Sequence, residues 1–308
     1  MDRHNSPTQQ RLLAALAASA VPDAIRDAMH APVTAAPAAG DIWRAVWDAN
    51  VLLLLVLDYR PGTVKAAPVV LDVDDVDEEA LIVDAALSGL KLAFAVWLGL
   101  ERTLPERVLE RKITATALHV DTPGWDSTLI AEGRARRGRT VTSVLEAAAE
   151  NRAVVEDKLE AFEHARWIEA SSGGLGKMIK DSGIPVKQVA ALLQVDLPRA
   201  LAVIRGQVPV IAEQAESLAP ALGLDSQRIL AANPAPPAEL AAYLDQPQWR
   251  AQVRRLAQQN DQSETRAWYD AAFGTWGLAA RQTGGTSQPP AWEERLKRFF
   301  AMSLRGTA

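Results

Sequence analysis

The sequence predicts an α+β chain that is mainly α: a small β-barrel, then a long linker helix, a compact five-helix bundle and a C-terminal helical segment. Three observations carry this expectation. Between Gly40 and Leu98, apolar residues alternate with polar ones or gather in short runs bounded by turn residues, which is strand spacing. From Thr140 to Ala170 glycine and proline vanish, and apolar positions recur at three- and four-residue steps. From Leu175 to Leu230, short apolar faces are separated by Gly, Pro and Asp where helices start and stop. With 308 residues and 48% hydrophobic composition, the chain is long enough for two or three domains with cores of their own.

Six segments follow in order. Residues 1–38 read as N-terminal helices and a linker: Leu12, Leu13, Leu16 and Val21, then Ile25 and Met29 after Pro22, form two amphipathic stretches broken at the proline, and Ala31 to Gly40 is rich in alanine and proline. Arg3, Arg11 and Ala18-Ser19-Ala20 mimic a signal peptide, but the helical register favours a cytoplasmic helix. Residues 39–120 read as the barrel of about five strands. Its parts are Gly40 to Trp47, Val51 to Leu57, a turn at Asp58 to Gly62, Thr63 to Leu71, Leu81 to Asp84 and Leu92 to Leu98, with Pro105 to Ile113 as a closing helix.

Residues 121–139 read as a mobile basic loop, in which Arg134, Arg136, Arg137 and Arg139, set among Gly133 and Gly138, can follow a phosphate backbone or, as a solvated linker, balance the acidic half. Residues 140–170 read as one helix with Leu145, Ala148, Val155, Leu159 and Phe162 on a stripe that Arg152 interrupts. Such a stripe needs a partner, either the barrel or a second copy. Residues 171–235 form the five-helix bundle. Residues 236–308 form the last segment, in which Trp268, Ala272 and Trp276 share a face and point to core packing rather than to stacking on bases.

Within the bundle the helix signals are specific. Gly183 stops a helix begun at Leu175; Pro185 opens a second, whose inner face is Val186, Val189, Ala190 and Leu193. Gln194 and Val195 make the turn, and Asp196 caps a third helix carrying Ala200 and Val203 inward, ended by Arg205 and Gly206. Pro209 to Leu222, stopped by Gly223, and a short helix capped by Asp225 complete the five. The segment "VKQVAALLQVDLPRALAVIRG", followed by "LAPALGL", resembles the Xre, or lambda-repressor-like, helix-turn-helix family over about one fifth of the chain. The resemblance implies that the helix near Leu197 lies in the major groove of double-stranded DNA. Carried across by position, it nominates Leu197, Pro198, Arg199 and Ala202 for base edges, and Lys187, Gln188, Arg205 and Gln207 for phosphates or flanking contacts. Where that family has a Ser or Thr cap followed by Gln, this chain has Pro185 and Val186. Only Arg199 and Arg205 are long and polar on the reading helix, and a good bidentate base contact gives about 1–3 kcal/mol of discrimination, so shape readout or a protein partner joins direct readout as an expectation.

The strands "GDIWRAVW" and "KAAPVVLD" with "LPERVLERKIT" resemble the SH3-like barrel of the MazF/PemK-type toxins. In that family cleavage of RNA depends on an arginine before the second strand and a Ser or Thr after the "AP" strand; here those neighbourhoods are Asn50-Val51 and Leu71-Asp72. The resemblance therefore implies a non-catalytic relative used for partner binding, with a ribonuclease toxin as an alternative.

Charge is unevenly placed. Residues 1–133 carry 11 Lys and Arg against 19 Asp and Glu, and residues 134–308 carry 22 against 19. The acidic half repels phosphate, and the run Asp72 to Glu79 offers Asp74, Asp75, Asp77 and Glu78 as a surface for a basic protein partner. With no cysteine there is no disulfide or thiolate metal site, the four histidines are isolated, and "GGLGKM" lacks the spacing of a phosphate loop. The apolar runs are too short to span a bilayer. The sequence thus predicts a cytoplasmic, non-enzymatic, cofactor-free and metal-free DNA-binding regulator or antitoxin-like repressor, with a homodimer among its expected forms, whose alternative is a scaffold that docks protein through the same helices.

Overall fold

The computed structural model describes residues 25, 26, 28, 36–74, 76–139, 145–167, 173–282 and 291–304. Two units divide between Glu163 and His164. Most of the expected N-terminal helices, and Asp75, lie outside the described residues.

The first unit is built on eight antiparallel strands: β1 Asp41–Trp47, β2 Asn50–Arg60, β3 Thr63–Val70, β4 Ala80–Val83, β5 Phe94–Trp97, β6 Arg102–Pro105, β7 Leu109–Ala115 and β8 Ala135–Arg137. They pair in the order β7-β1-β2-β3-β5-β4-β8, and β6 pairs with β3 beside β5. No ladder joins the ends among the described residues, so the sheet is open and the expected closed five-strand SH3-like barrel is corrected. Its curvature comes from register shifts between Val56 and Asp58 on β2 and at two places on β1, where an extra residue in one strand bends the ladder. Apolar side chains from Ile42, Leu55, Val69, Leu81, Phe94 and Ile113 meet in one core, which Ile25 and Ala28 also join.

The helix expected over Pro105 to Ile113 is the second correction. The segment is the end of β6, a 3-10 turn over Glu106–Val108 and β7. Helix reading failed because Glu106 has distant partners: its Oε1 accepts from Tyr59 OH at 3.0 Å and its Oε2 from Gly62 N–H at 2.9 Å, which fixes the turn against the β2–β3 hairpin. The charges of β7 are then matched across the ladder by Arg44 with Glu110 and by Lys112 with Asp41, the latter pair 2.6 Å apart.

The basic segment 121–139 is likewise not a loop throughout. It holds helix α1, Trp125–Ala131, and then β8, which places Arg136 and Arg137 in a strand paired with Ile82 and Leu81. Helix α2, Leu145–Glu163, packs across β1, β2 and β6. Ala148, Val155, Leu159 and Phe162 are buried there, so the apolar stripe is covered by the sheet of its own unit. The interrupting Arg152 closes the contact instead of spoiling it: its guanidinium reaches Glu79 at 2.6 Å, Asp77 at 3.3 Å and Glu156 at 3.1 Å.

The second unit begins with the five expected helices: α3 Leu175–Asp181, α4 Val186–Leu193, α5 Leu197–Ile204, α6 Ala212–Leu222 and α7 Ser226–Ala231. Their core gathers Leu175, Ile179, Val189, Leu193, Val203 and Leu218. The fourth helix starts at Ala212 rather than Pro209, where Gln214 Oε1 accepts the Ile211 N–H at 3.2 Å. Helices α8 Ala238–Leu244, α9 Pro247–Gln259, α10 Glu264–Gln282 and α11 Trp292–Ser303 follow. Trp268 and Ala272 are buried and Trp276 is exposed. Trp268 stacks on Trp167 at 6.2 Å, with Arg250 over the Trp167 ring at 5.7 Å, so these aromatics and arginine serve the interior. Among the described residues no helix is long and apolar enough to cross a membrane.

Candidate nucleic-acid interface

The turn between α4 and α5 is made by local chemistry. Gln194 takes the left-handed conformation at φ 52°, its N–H bonds the carbonyl of Ala191, and Val195 N–H bonds that of Ala190. Pro185 precedes α4 in an extended conformation, and Asp196 Oδ1 accepts the Arg199 N–H at 2.9 Å to cap α5. Gly206 then turns the chain at φ 69°. The end of α5 lies against α3 so closely that a Cβ on Gly176 would sit 2.3 Å from the Ile204 carbonyl oxygen. Glycine at this position lets the two backbones touch.

Several nominated residues share the surface of α4 and α5. Lys187, Gln188, Pro198, Arg205 and Gln207 are exposed, Ala202 is half-buried and Leu197 is 44% exposed at the start of α5. Arg199 is placed differently. Its Nη2 donates to Asp270 Oδ1 on α10 at 3.0 Å, and Arg266 Nε lies 3.4 Å from the same oxygen. Burial holds the Asp270 carboxyl above the usual carboxylate range, although Arg199 and Gln262 act to lower it.

Sequence reasoning missed Asp270 and Asn233. The i, i+4 spacing of Arg266 and Asp270 on one helix was a visible signal for part of this cluster, but nothing local pointed Asp270 at Arg199. Asn233 opens the proline-rich run that ends at Pro237, where nothing local marks a buried polar side chain. It is 0% exposed, accepts from Val210 N–H at 2.9 Å and donates to Val210 O at 2.8 Å. Gln214 Nε2 donates to Leu193 O at 3.0 Å. The link after α5 and the start of α6 are therefore fixed by side-chain amides.

The first unit supplies the other nominated groups. Arg134 pairs with Glu132 at 3.0 Å and Arg137 with Asp126 at 3.1 Å, while Arg136 and Arg139 are exposed. Asp77 is committed inside the unit: Oδ1 accepts from Trp97 Nε1 at 2.9 Å and from Glu79 N–H at 3.1 Å, and Oδ2 faces Arg152. Asp74 and Glu78 are exposed. Among the described residues no group of three His, Asp or Glu side chains is placed to hold a metal ion.

No family model matches the chain, and no curated protein matches it significantly. The residues alone carry the functional reading.

Proposed function

We propose that this chain is a DNA-binding regulator whose α4 and α5 engage duplex DNA, with an antitoxin-like repressor as its specific form. The observation that supports this is the α4–turn–α5 pair. Asp196 caps the reading helix, and Lys187, Gln188, Arg205 and Gln207 stand exposed around it. Cations and amides at a helix pair of this kind can meet phosphates, while a short α5 enters the groove. With so few polar groups on α5, two half-sites bound by a dimer would supply the affinity that one reader lacks.

The test is selection from a random-sequence duplex pool at moderate salt, comparing wild type with Lys187→Ala/Arg205→Ala. Enrichment of a palindromic motif, with the double variant binding it more weakly and with a salt slope smaller by about two, is the expected result. A folded wild-type protein that enriches nothing sinks the reading.

One observation favours a second reading, in which these helices dock protein. Leu197 is an exposed large apolar residue at the first position of α5, beside exposed Pro198. A Leu197→Ser variant that keeps DNA binding but loses a specific protein partner would speak for it.

A further inference from the structure

The first turn of α5 carries one arginine, Arg199, and that arginine is already engaged within its own unit. Asp270 Oδ1 takes Arg199 Nη2 at 3.0 Å and Arg266 Nε at 3.4 Å. Arg266 Nη1 lies 3.5 Å from Gln214 Oε1, and Gln214 also holds the end of α4 through Leu193 O. A carboxylate on a guanidinium is the same charge-assisted contact that a phosphate oxygen or a guanine edge would make. The pair is only half-buried and borders an open cleft of about 380 Å³, flanked by Phe273 and Phe299, so Arg199 has space to swing when released.

We infer that Asp270 is an internal competitor of DNA: it holds Arg199 against α10 and lowers the affinity of the reading helix until the pair opens. The inference rests on the DNA-binding reading above. Burial, which keeps the Asp270 carboxyl above its ordinary range, fits a contact that is held rather than strongly favoured. The C-terminal helices thereby set how readily α5 engages its target, and anything that moves α10 alters DNA affinity.

Asp270→Asn keeps the size and the hydrogen-bonding oxygen but removes the charge. Wild type, Asp270→Asn and Arg199→Ala/Asp270→Asn are each taken through the same duplex selection, and binding to the enriched duplex is measured by fluorescence anisotropy. Thermal melts establish that each variant folds, and Asp270→Ser replaces the asparagine variant if that one does not. The expected result is about tenfold tighter binding by Asp270→Asn, a gain that the double variant loses. If wild type enriches a motif and Asp270→Asn binds it equally or more weakly, the competitor role is overturned while the DNA-binding reading stands. If no folded variant enriches any duplex, both fall together.

Discussion

Replacing Asn233 with alanine isolates the interaction that holds the link between α5 and α6. The side chain supplies both a donor and an acceptor to one residue, Val210, and both residues are fully buried. Alanine leaves the Val210 N–H and C=O without these bonds, and each stranded buried backbone group costs about 1–3 kcal/mol. The sum is about 2–6 kcal/mol, with the lower end reached if a water enters the vacated space and bonds both groups. At about 2–4 °C per kcal/mol for a unit of this size, the melting temperature should fall by about 5–20 °C. Thermal unfolding followed by circular dichroism measures the total, and hydrogen exchange of the peptide containing Val210 locates it. Asn233→Asp keeps the acceptor for Val210 N–H but sets a carboxylate oxygen against Val210 O, so it too should destabilise. A melting shift under about 1 °C in the alanine variant, with Val210 still protected, would refute the reasoning.

Four other outcomes are expected. Gly176→Ala should cost about 2–4 kcal/mol, because its Cβ meets the backbone oxygen of Ile204, whereas Gly274→Ala meets the movable Phe299 ring and should cost less; equal urea midpoints for the two would contradict this. Burial raises the Glu106 carboxyl above its ordinary value, so the folded state holds that proton more tightly than the unfolded one. This group's contribution should therefore fall as pH rises from about 4.5 through its raised value, and Glu106→Gln should remove that slope from urea midpoints measured against pH. Tyr59, pushed up to about 12 chiefly by burial and then by Glu106, should titrate late in ultraviolet absorbance and return to about 10 on unfolding. Arg152→Ala should weaken the hold of α2 on the sheet by about 1 kcal/mol, seen as faster exchange over residues 148–163 with little change in α4 and α5.

The parts legible in the sequence are those decided by neighbours a few residues away. Asp196, Gly206, Gly223 and Asp225 act on their own helix ends, so the ends of α3 to α7 were readable, except the start of α6, expected at Pro209 and found at Ala212. Strand positions were readable where apolar runs were bounded by turn residues, as in β1, β2 and β3. The segment from Pro105 to Ile113 was misread because the partners that fix Glu106, Tyr59 and Gly62, lie 47 and 44 residues earlier in the chain. The same distance hid the role of Arg152, which looks like a fault in an apolar stripe until Asp77 and Glu79 are brought beneath it. In the candidate interface the cations were nominated through the resemblance to the helix-turn-helix family, and the link from Arg199 to Asp270, 71 residues away, left no local signal.

One strand gives the first unit an internal seam. Thr63 to Ala66 of β3 bond β6, whereas Val69 and Val70 bond β5, so a single strand serves two separate ladders along the same edge. Among the described residues the sheet continues beyond β5 through β4 and β8, the strand carrying Arg136 and Arg137. That three-strand wing meets the rest of the sheet through two register positions. The wing is held to the unit less by that short ladder than by Leu81, Phe94 and Val96, which enter the core shared with Ile42 and Leu55, so its hydrogen bonds open only when that core does.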